Sequence, residues 1–216
     1  MHTFYRQLPN QLTMFRLVLA AAFFVLLNCF RYGAQSPAWL LPIAIVVFIL
    51  AAITDSLDGY LARRWHVESK FGRIMDPFCD KVLVIGAFVY LAGPRFVIPG
   101  AVEVGDIDFF SMVSGVYPWM VAVILARELL VTAIRGELEG EGVKFGANTW
   151  GKLKMVLQSL VIPIVLAIVW LDPRNEAWRW TGWVRDVLVY LTVIVTVLSG
   201  IPYITGAMRA ARENAS

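Results

Sequence analysis

The sequence predicts an all-α integral membrane protein: six transmembrane helices behind a short N-terminal interfacial amphipathic segment. Three observations predict it. Of 216 residues, 59% are hydrophobic and only 16% are charged, whereas a soluble domain carries about 25% charged residues. The apolar residues fall into long runs rather than scattering. Lys and Arg gather at alternate ends of those runs, which is the asymmetry that sets topology in a bilayer.

The elements follow in order. Met1 to Gln11 carries Phe4, Tyr5 and Leu8 among polar residues and reads as a short amphipathic helix on the interface, with Pro9 ending it or turning it into the first span. Run one is roughly Leu12 to Phe30. Run two starts near Trp39 and passes through Ile53 into an acidic stretch. Run three, roughly Val82 to Leu91, reaches the about 20 residues of a span only if Gly72 to Lys81 is helical as well. Runs four, five and six are roughly Met112 to Ile134, Leu153 to Leu171 and Val184 to Met208. Backbone facing lipid must satisfy its own hydrogen bonds, so each run is read as a helix. Gly93-Pro94, Pro99-Gly100 and Asp172-Pro173 are the breakers between runs. Trp178, Trp180 and Trp183 cluster at one edge, as interfacial anchors do. No repeat stands out, and residues 1–216 read as a single domain.

With the N-terminus in the cytoplasm, only Arg31, Arg95, Arg174, Arg179 and Arg185 fall on the far side. That places both termini inside a multi-pass protein of the cytoplasmic (inner) membrane. A net charge of +3 leaves no nucleic-acid footprint; the basic residues report topology and contact with membrane lipid. Cys29 and Cys79 lack metal-type spacing and are read as reduced thiols. No cleavable signal peptide is evident.

The chemistry concentrates in Asp55, Asp58, Asp76 and Asp80, four carboxylates beside two strongly apolar runs. Ionisable groups there are costly and mark function. Asp55 and Asp58 are three apart and Asp76 and Asp80 four apart, so each pair shares a helix face. If helices two and three pack antiparallel, the faces meet, and four carboxylates repel unless protonated or bridged by cations. Oxygen-only ligands favour hard divalent ions, Mg²⁺ or Mn²⁺. Gly59 and Ala62 lie on the side of Asp55 and let a ligand or helix approach closely. The plain alternative pairs these acids with Arg63, Arg64, Lys70, Arg73 and Lys81 in a solvated loop; the doubled helical spacing argues against it.

This segment resembles the signature of the CDP-alcohol phosphatidyltransferase family, D-x2-D-G-x2-A-R-x8-G-x3-D-x3-D. Every fixed position is present: Asp55, Asp58, Gly59, Ala62, Arg63, Gly72, Asp76 and Asp80. The resemblance implies two divalent ions held by the four Asp, with Asp80 also acting as general base. It implies contacts to the CDP moiety of CDP-diacylglycerol from Gly59, Ala62, Arg63 and Gly72, and from Ser69. Flanking segments are similar to those of bacterial members that use glycerol 3-phosphate: Pro9-Asn10 through Leu12-Thr13 to Arg16, Met75-Asp76-Pro77 with Asp80-Lys81, Ala126-Arg127-Glu128, and Gly151-Lys152 with Lys154. Met155 departs from the last of these patterns, where a Thr commonly stands. By analogy with the family, a homodimer is expected.

A dianionic acceptor needs cations. Arg127, Lys152, Lys154 and Arg135 are the candidates, Arg being suited to bidentate phosphate contact; topology marking is the alternative for the two lysines, and Glu128 beside Arg127 is read as orienting a cation or facing a partner helix. Thr13 and Arg16 are within reach of the nucleotide, with a helix cap and an interfacial anchor as their bland alternatives. His2 and His66 are poorly placed for a phospho-histidine route. The implied reaction moves a phosphatidyl group to a hydroxyl with release of CMP. Two rivals stand beside glycerol 3-phosphate: the same chemistry with inositol phosphate, serine or phosphatidylglycerol, and a divalent-cation transporter in which the Asp residues form a permeation site. The transporter leaves Gly59, Ala62, Arg63 and Gly72 without purpose.

Overall fold

The computed structural model describes residues 2–34, 36–65, 70–99, 112–140, 149–172 and 176–213, with side chains described except at 2–10, 56–65, 70–77, 80, 138–140, 176, 210, 211 and 213. Seven α-helices occupy these stretches: α1 (His2–Cys29), α2 (Leu40–Trp65), α3 (Lys70–Leu91), α4 (Pro118–Gly140), α5 (Thr149–Trp170), α6 (Arg179–Leu198) and α7 (Ile201–Glu213). Short 3-10 turns at Pro94–Phe96 and Glu176–Trp178 lead out of α3 and into α6. Among the described residues there is no strand, only an isolated bridge between Val97 and Met112.

Among the described residues, three stretches are long and apolar enough to cross a bilayer: Gln11–Cys29, Thr149–Trp170 and Arg179–Arg209. Leu40–Asp55 and Lys81–Leu91 are shorter apolar helices. α4 is held back by charge, since Arg127, Glu128 and Arg135 fall within its first 18 residues.

Three boundaries differ from the sequence reading. α1 continues through Pro9 rather than beginning after it; a missing N–H removes one rung of the ladder without ending this helix. Run four begins as non-helical chain at Met112–Tyr117 and becomes helical only at Pro118, where proline suits a first turn. Run six is two helices, parted at Ser199 and Gly200. The polar start of run three is helical, as its length required: α3 spans 22 residues from Lys70.

α1 lies along α2 and against α3; α5 packs between α2 and α6; α4 meets α3, α6 and α7. The core holds Phe23, Leu27, Phe48, Phe88, Leu91, Phe96, Met120, Ile124, Ile162 and Leu166, all buried. Phe23 meets Phe48 at 5.3 Å between ring centroids, and Phe24 stacks on Tyr90 at 5.5 Å. Gly86 of α3 makes room for the Phe24 ring, which a Cβ there would strike. Much of the remaining surface is apolar, including Val18, Val25, Val46, Leu160, Trp183, Val187 and Ile194. In water that would be a liability; against acyl chains it is the required exterior.

The connections at one end are tied together. The Tyr32 hydroxyl donates to Asp172 Oδ1 at 2.6 Å, Tyr32 N donates to the Arg95 carbonyl at 2.9 Å, and Arg185 Nη1 donates to the Val113 carbonyl at 2.6 Å. Ser114 Oγ donates to the Leu91 carbonyl at 2.6 Å. The contacts Arg16–Asp55, Lys81–Thr132, Lys154–Glu128 and Arg127–Ser199 draw the first half of α1, the second half of α2 and the middle of α3 together toward the opposite end. The second half of α4, the start of α5 and the end of α6 join them there.

Candidate active site

The acidic motif sits on helical backbone from Asp55 to Trp65 in α2 and from Lys70 to Asp80 in α3, two helices that pack on each other. Asp58, Gly59, Ala62, Arg63, Gly72, Asp76 and Asp80 therefore stand in the helical registers their spacing implied. Their side chains, and Ser69 altogether, lie outside the described residues.

Asp55 is described, and it is held. Arg16 Nη1 of α1 lies 2.5 Å from Asp55 Oδ1, with Arg16 1% exposed and the Asp55 side chain 34% exposed. Thr13, one turn earlier on α1, is also buried. An Arg in an apolar helix is tolerable only with a partner, and Asp55 is one. The pair opens into a cavity of about 310 Å³ walled by Phe48, Ala51, Leu83, Val84, Val156 and Leu160. Charge at one end and hydrocarbon along the sides suit a molecule with a polar head and apolar tails. Asp55 lines this cavity, and a carboxylate oxygen is a donor of the kind that suits a hard divalent cation.

A second polar cluster lies across α4 and α5. Glu128 Oε1 accepts from Arg127 Nη1 at 2.8 Å and from Lys154 Nζ at 2.5 Å. Arg127 Nη2 also donates to the Ser199 carbonyl at 3.2 Å, at the C-terminal end of α6, where cations are favoured. The Arg127 stem runs beside Gly200, where a Cβ would be in ordinary contact with it at 3.5 Å from Arg127 Cγ. Lys81 Nζ donates to Thr132 Oγ1 at 2.5 Å, and Thr132 Oγ1 donates to the Glu128 carbonyl at 2.6 Å. A cleft of about 20 Å³, room for about one water, is lined by Lys81, Glu128, Lys154, Met155, Gln158 and Ser159. Val84, Met155 and Ser159 line both this cleft and the large cavity, so the two adjoin.

Of the four predicted phosphate cations, the structure brings Arg127 and Lys154 together. Lys152 is exposed, and Arg135 lies over the Tyr203 ring at 5.9 Å from its centroid. Sequence reasoning set Lys81 only within a motif, read Glu128 as orienting a cation or facing a partner helix, and missed Thr132, Gln158 and Ser199. Glu128 was signalled by being an acid in an apolar run; the Ser199 contribution is a backbone carbonyl, which no side-chain pattern announces.

Long apolar helices, buried ion pairs and a polar-headed cavity define a membrane protein with a site for an amphipathic ligand. The chain belongs to the CDP-alcohol phosphatidyltransferase family, whose model matches residues 6–198. It is 29% identical over 213 residues to CDP-diacylglycerol–glycerol-3-phosphate 3-phosphatidyltransferase of Haemophilus influenzae, covering 96% of each chain. It is 30% identical over 207 residues to the Bacillus subtilis protein of that name, covering 91% of this chain and 92% of the relative. For the Cereibacter sphaeroides protein of that name the identity is 34% over 161 residues, 73% of this chain and 62% of the relative. Membership accounts for Gly59, Ala62, Arg63 and Gly72, which a cation transporter does not.

Proposed function

We propose that the protein transfers the phosphatidyl group of CDP-diacylglycerol to glycerol 3-phosphate, giving phosphatidylglycerophosphate and CMP. The observation that carries the acceptor is the Arg127–Glu128–Lys154 cluster beside the cavity that Asp55 enters. Relatives with this printed activity across nearly the whole chain support the same reading.

The lipid tails lie against the apolar walls of the large cavity, and the diphosphate lies toward Asp55. Asp55, Asp58, Asp76 and Asp80 would hold two divalent cations, Mg²⁺ or Mn²⁺, which when bound supply positive charge against the diphosphate. Gly59, Ala62, Arg63, Ser69 and Gly72 contact the CDP moiety, with Thr13 and Arg16 behind them. Arg16 fixes the Asp55 carboxylate through Oδ1. Arg127 and Lys154 seat the acceptor phosphate, with Lys152 and Arg135 on the approach. A free hydroxyl oxygen of glycerol 3-phosphate bonds to the phosphorus bearing diacylglycerol. The bond from that phosphorus to the bridging oxygen breaks, CMP leaves with the electron pair, and the hydroxyl proton passes to Asp80. Holding both partners in contact supplies much of the acceleration.

In this reading residues 1–216 are one domain with six spans, counting α2, α3 and α4 as membrane helices beside α1, α5 and α6. The first turns of α1 lie at the interface. Both termini and the site face the cytoplasm of a bacterial inner membrane, and the protein works as a homodimer. CMP release from CDP-diacylglycerol, measured over a panel of glycerol 3-phosphate, inositol phosphate, serine and phosphatidylglycerol with and without Mg²⁺, tests the function. Turnover with glycerol 3-phosphate that needs the metal, and is lost in folded Asp80→Asn, is the expected result. No turnover with that acceptor refutes the assignment, and near-normal activity of Asp80→Asn removes Asp80 from the base role.

A further inference from the structure

We infer that Glu128 is a positioning residue for the acceptor phosphate, clamping Arg127 and Lys154 into one double-cation seat. The inference rests on the acceptor reading above and goes beyond it, because Glu128 itself carries the wrong charge to touch a phosphate.

Two cations at adjoining positions repel, and a lysine on a four-carbon stem would swing away. Here one atom joins them. Glu128 Oε1 takes a hydrogen bond from Arg127 Nη1 at 2.8 Å and another from Lys154 Nζ at 2.5 Å. Both nitrogens are thus fixed around one oxygen, although they come from different helices. The clamp is itself anchored. Glu128 is 7% exposed, and its carbonyl takes the Thr132 hydroxyl that in turn receives Lys81 Nζ. Arg127 is tied from behind by the Ser199 carbonyl.

Charge and an unused donor point to an anion. Among the described residues of the cluster, Lys81, Arg127 and Lys154 carry three positive charges against the one negative charge of Glu128, an excess of the sign that a phosphate monoester dianion needs. Among the described residues no acceptor stands within hydrogen-bond reach of the buried Arg127 Nε. A buried guanidinium donor without an acceptor is costly, and a phosphate oxygen would remove the cost. Glu128 therefore sets both geometry and charge. Without it the seat loses the one oxygen that Arg127 and Lys154 share.

The test is steady-state kinetics on the purified full-length enzyme with Mg²⁺, for wild type, Glu128→Gln and Glu128→Asp, each verified as folded by its elution profile. The KM for glycerol 3-phosphate is expected to rise at least tenfold in Glu128→Gln. The KM for CDP-diacylglycerol is expected to stay within twofold, and Glu128→Asp, which keeps the charge on a shorter stem, to recover part of the loss. An unmoved acceptor KM, or equal rises for both substrates, overturns the inference. If Glu128→Gln is not recovered folded, Glu128→Asp carries the test alone: a several-fold rise in acceptor KM alone supports the clamp, and none refutes it. Failure of the underlying acceptor reading is distinguishable, because wild type would then release no CMP with glycerol 3-phosphate, which overturns both.

Discussion

The Arg16–Asp55 pair is asymmetric, and that asymmetry can be measured. Arg16 is 1% exposed and Asp55 34% exposed, so removing one partner leaves very different survivors. In Asp55→Ala the guanidinium stays among apolar walls without its carboxylate. Breaking a buried pair in this way costs about 3–5 kcal/mol. In Arg16→Met the survivor is a carboxylate one-third exposed, at the edge of a cavity of about 310 Å³ that can admit water. Its penalty is discounted to about 1–2 kcal/mol. The difference of about 2 kcal/mol corresponds to about 4–8 °C in a chain of this size. The assay is thermal loss of the monodisperse peak in detergent, by fluorescence-detected size exclusion, in excess chelator so that no metal contributes. Asp55→Ala should melt lower than Arg16→Met, and the double variant should return close to Arg16→Met alone. Equal shifts, or the reverse order, would refute the view that this ion pair shields a buried arginine.

Other outcomes follow from named contacts. Gly86→Val should destabilise by about 1–3 kcal/mol, because its Cβ meets the Phe24 ring that stacks on Tyr90; a melting temperature equal to wild type would show that α1 can give way. Gly115 has φ +66°, and a Cβ there would lie 2.6 Å from Arg185 Nε and from Asp186 Oδ1; Gly115→Ala should cost about 1–3 kcal/mol, read in the same thermal assay. Lys154→Ala should raise the acceptor KM more than tenfold, whereas Lys152→Ala, exposed on its helix, should change it less than threefold. Comparable effects of the two would contradict the seat as drawn.

How far the sequence could be read depends on range. The helical registers of the four Asp needed only local spacing, and α2 and α3 carry them as that spacing implies. Arg16 was marked by a motif, but that it reaches Asp55 across 39 positions is a tertiary fact. Lys152 and Lys154 looked equivalent in a string of charges. Two residues along a helix is about 200° of rotation, so one is exposed while the other is buried on Glu128. Hydropathy carried run six through Ser199 and Gly200 because both flanks are apolar, and an average over a window does not register a turn. The same blindness merged Met112–Tyr117 with α4, though that stretch is buried by hydrogen bonds such as Ser114 to Leu91 rather than by helix. Glu128 was visible as an anomaly; that Lys154 reaches it across 26 positions was not, nor was the Ser199 carbonyl that holds Arg127 from 72 positions away.

The turn between α6 and α7 ties the tail of the protein to its chemistry. α7 leaves Gly200, places Tyr203 in the interior, and offers its ring to Arg135, while the carbonyl just before the turn holds Arg127. A truncation or bulky fusion that unseats α7 would loosen two arginines of α4 at once. Tagged or shortened versions should therefore be checked for acceptor affinity before their kinetics are trusted, and a partner that gripped this last helix would have a mechanical route to the pocket.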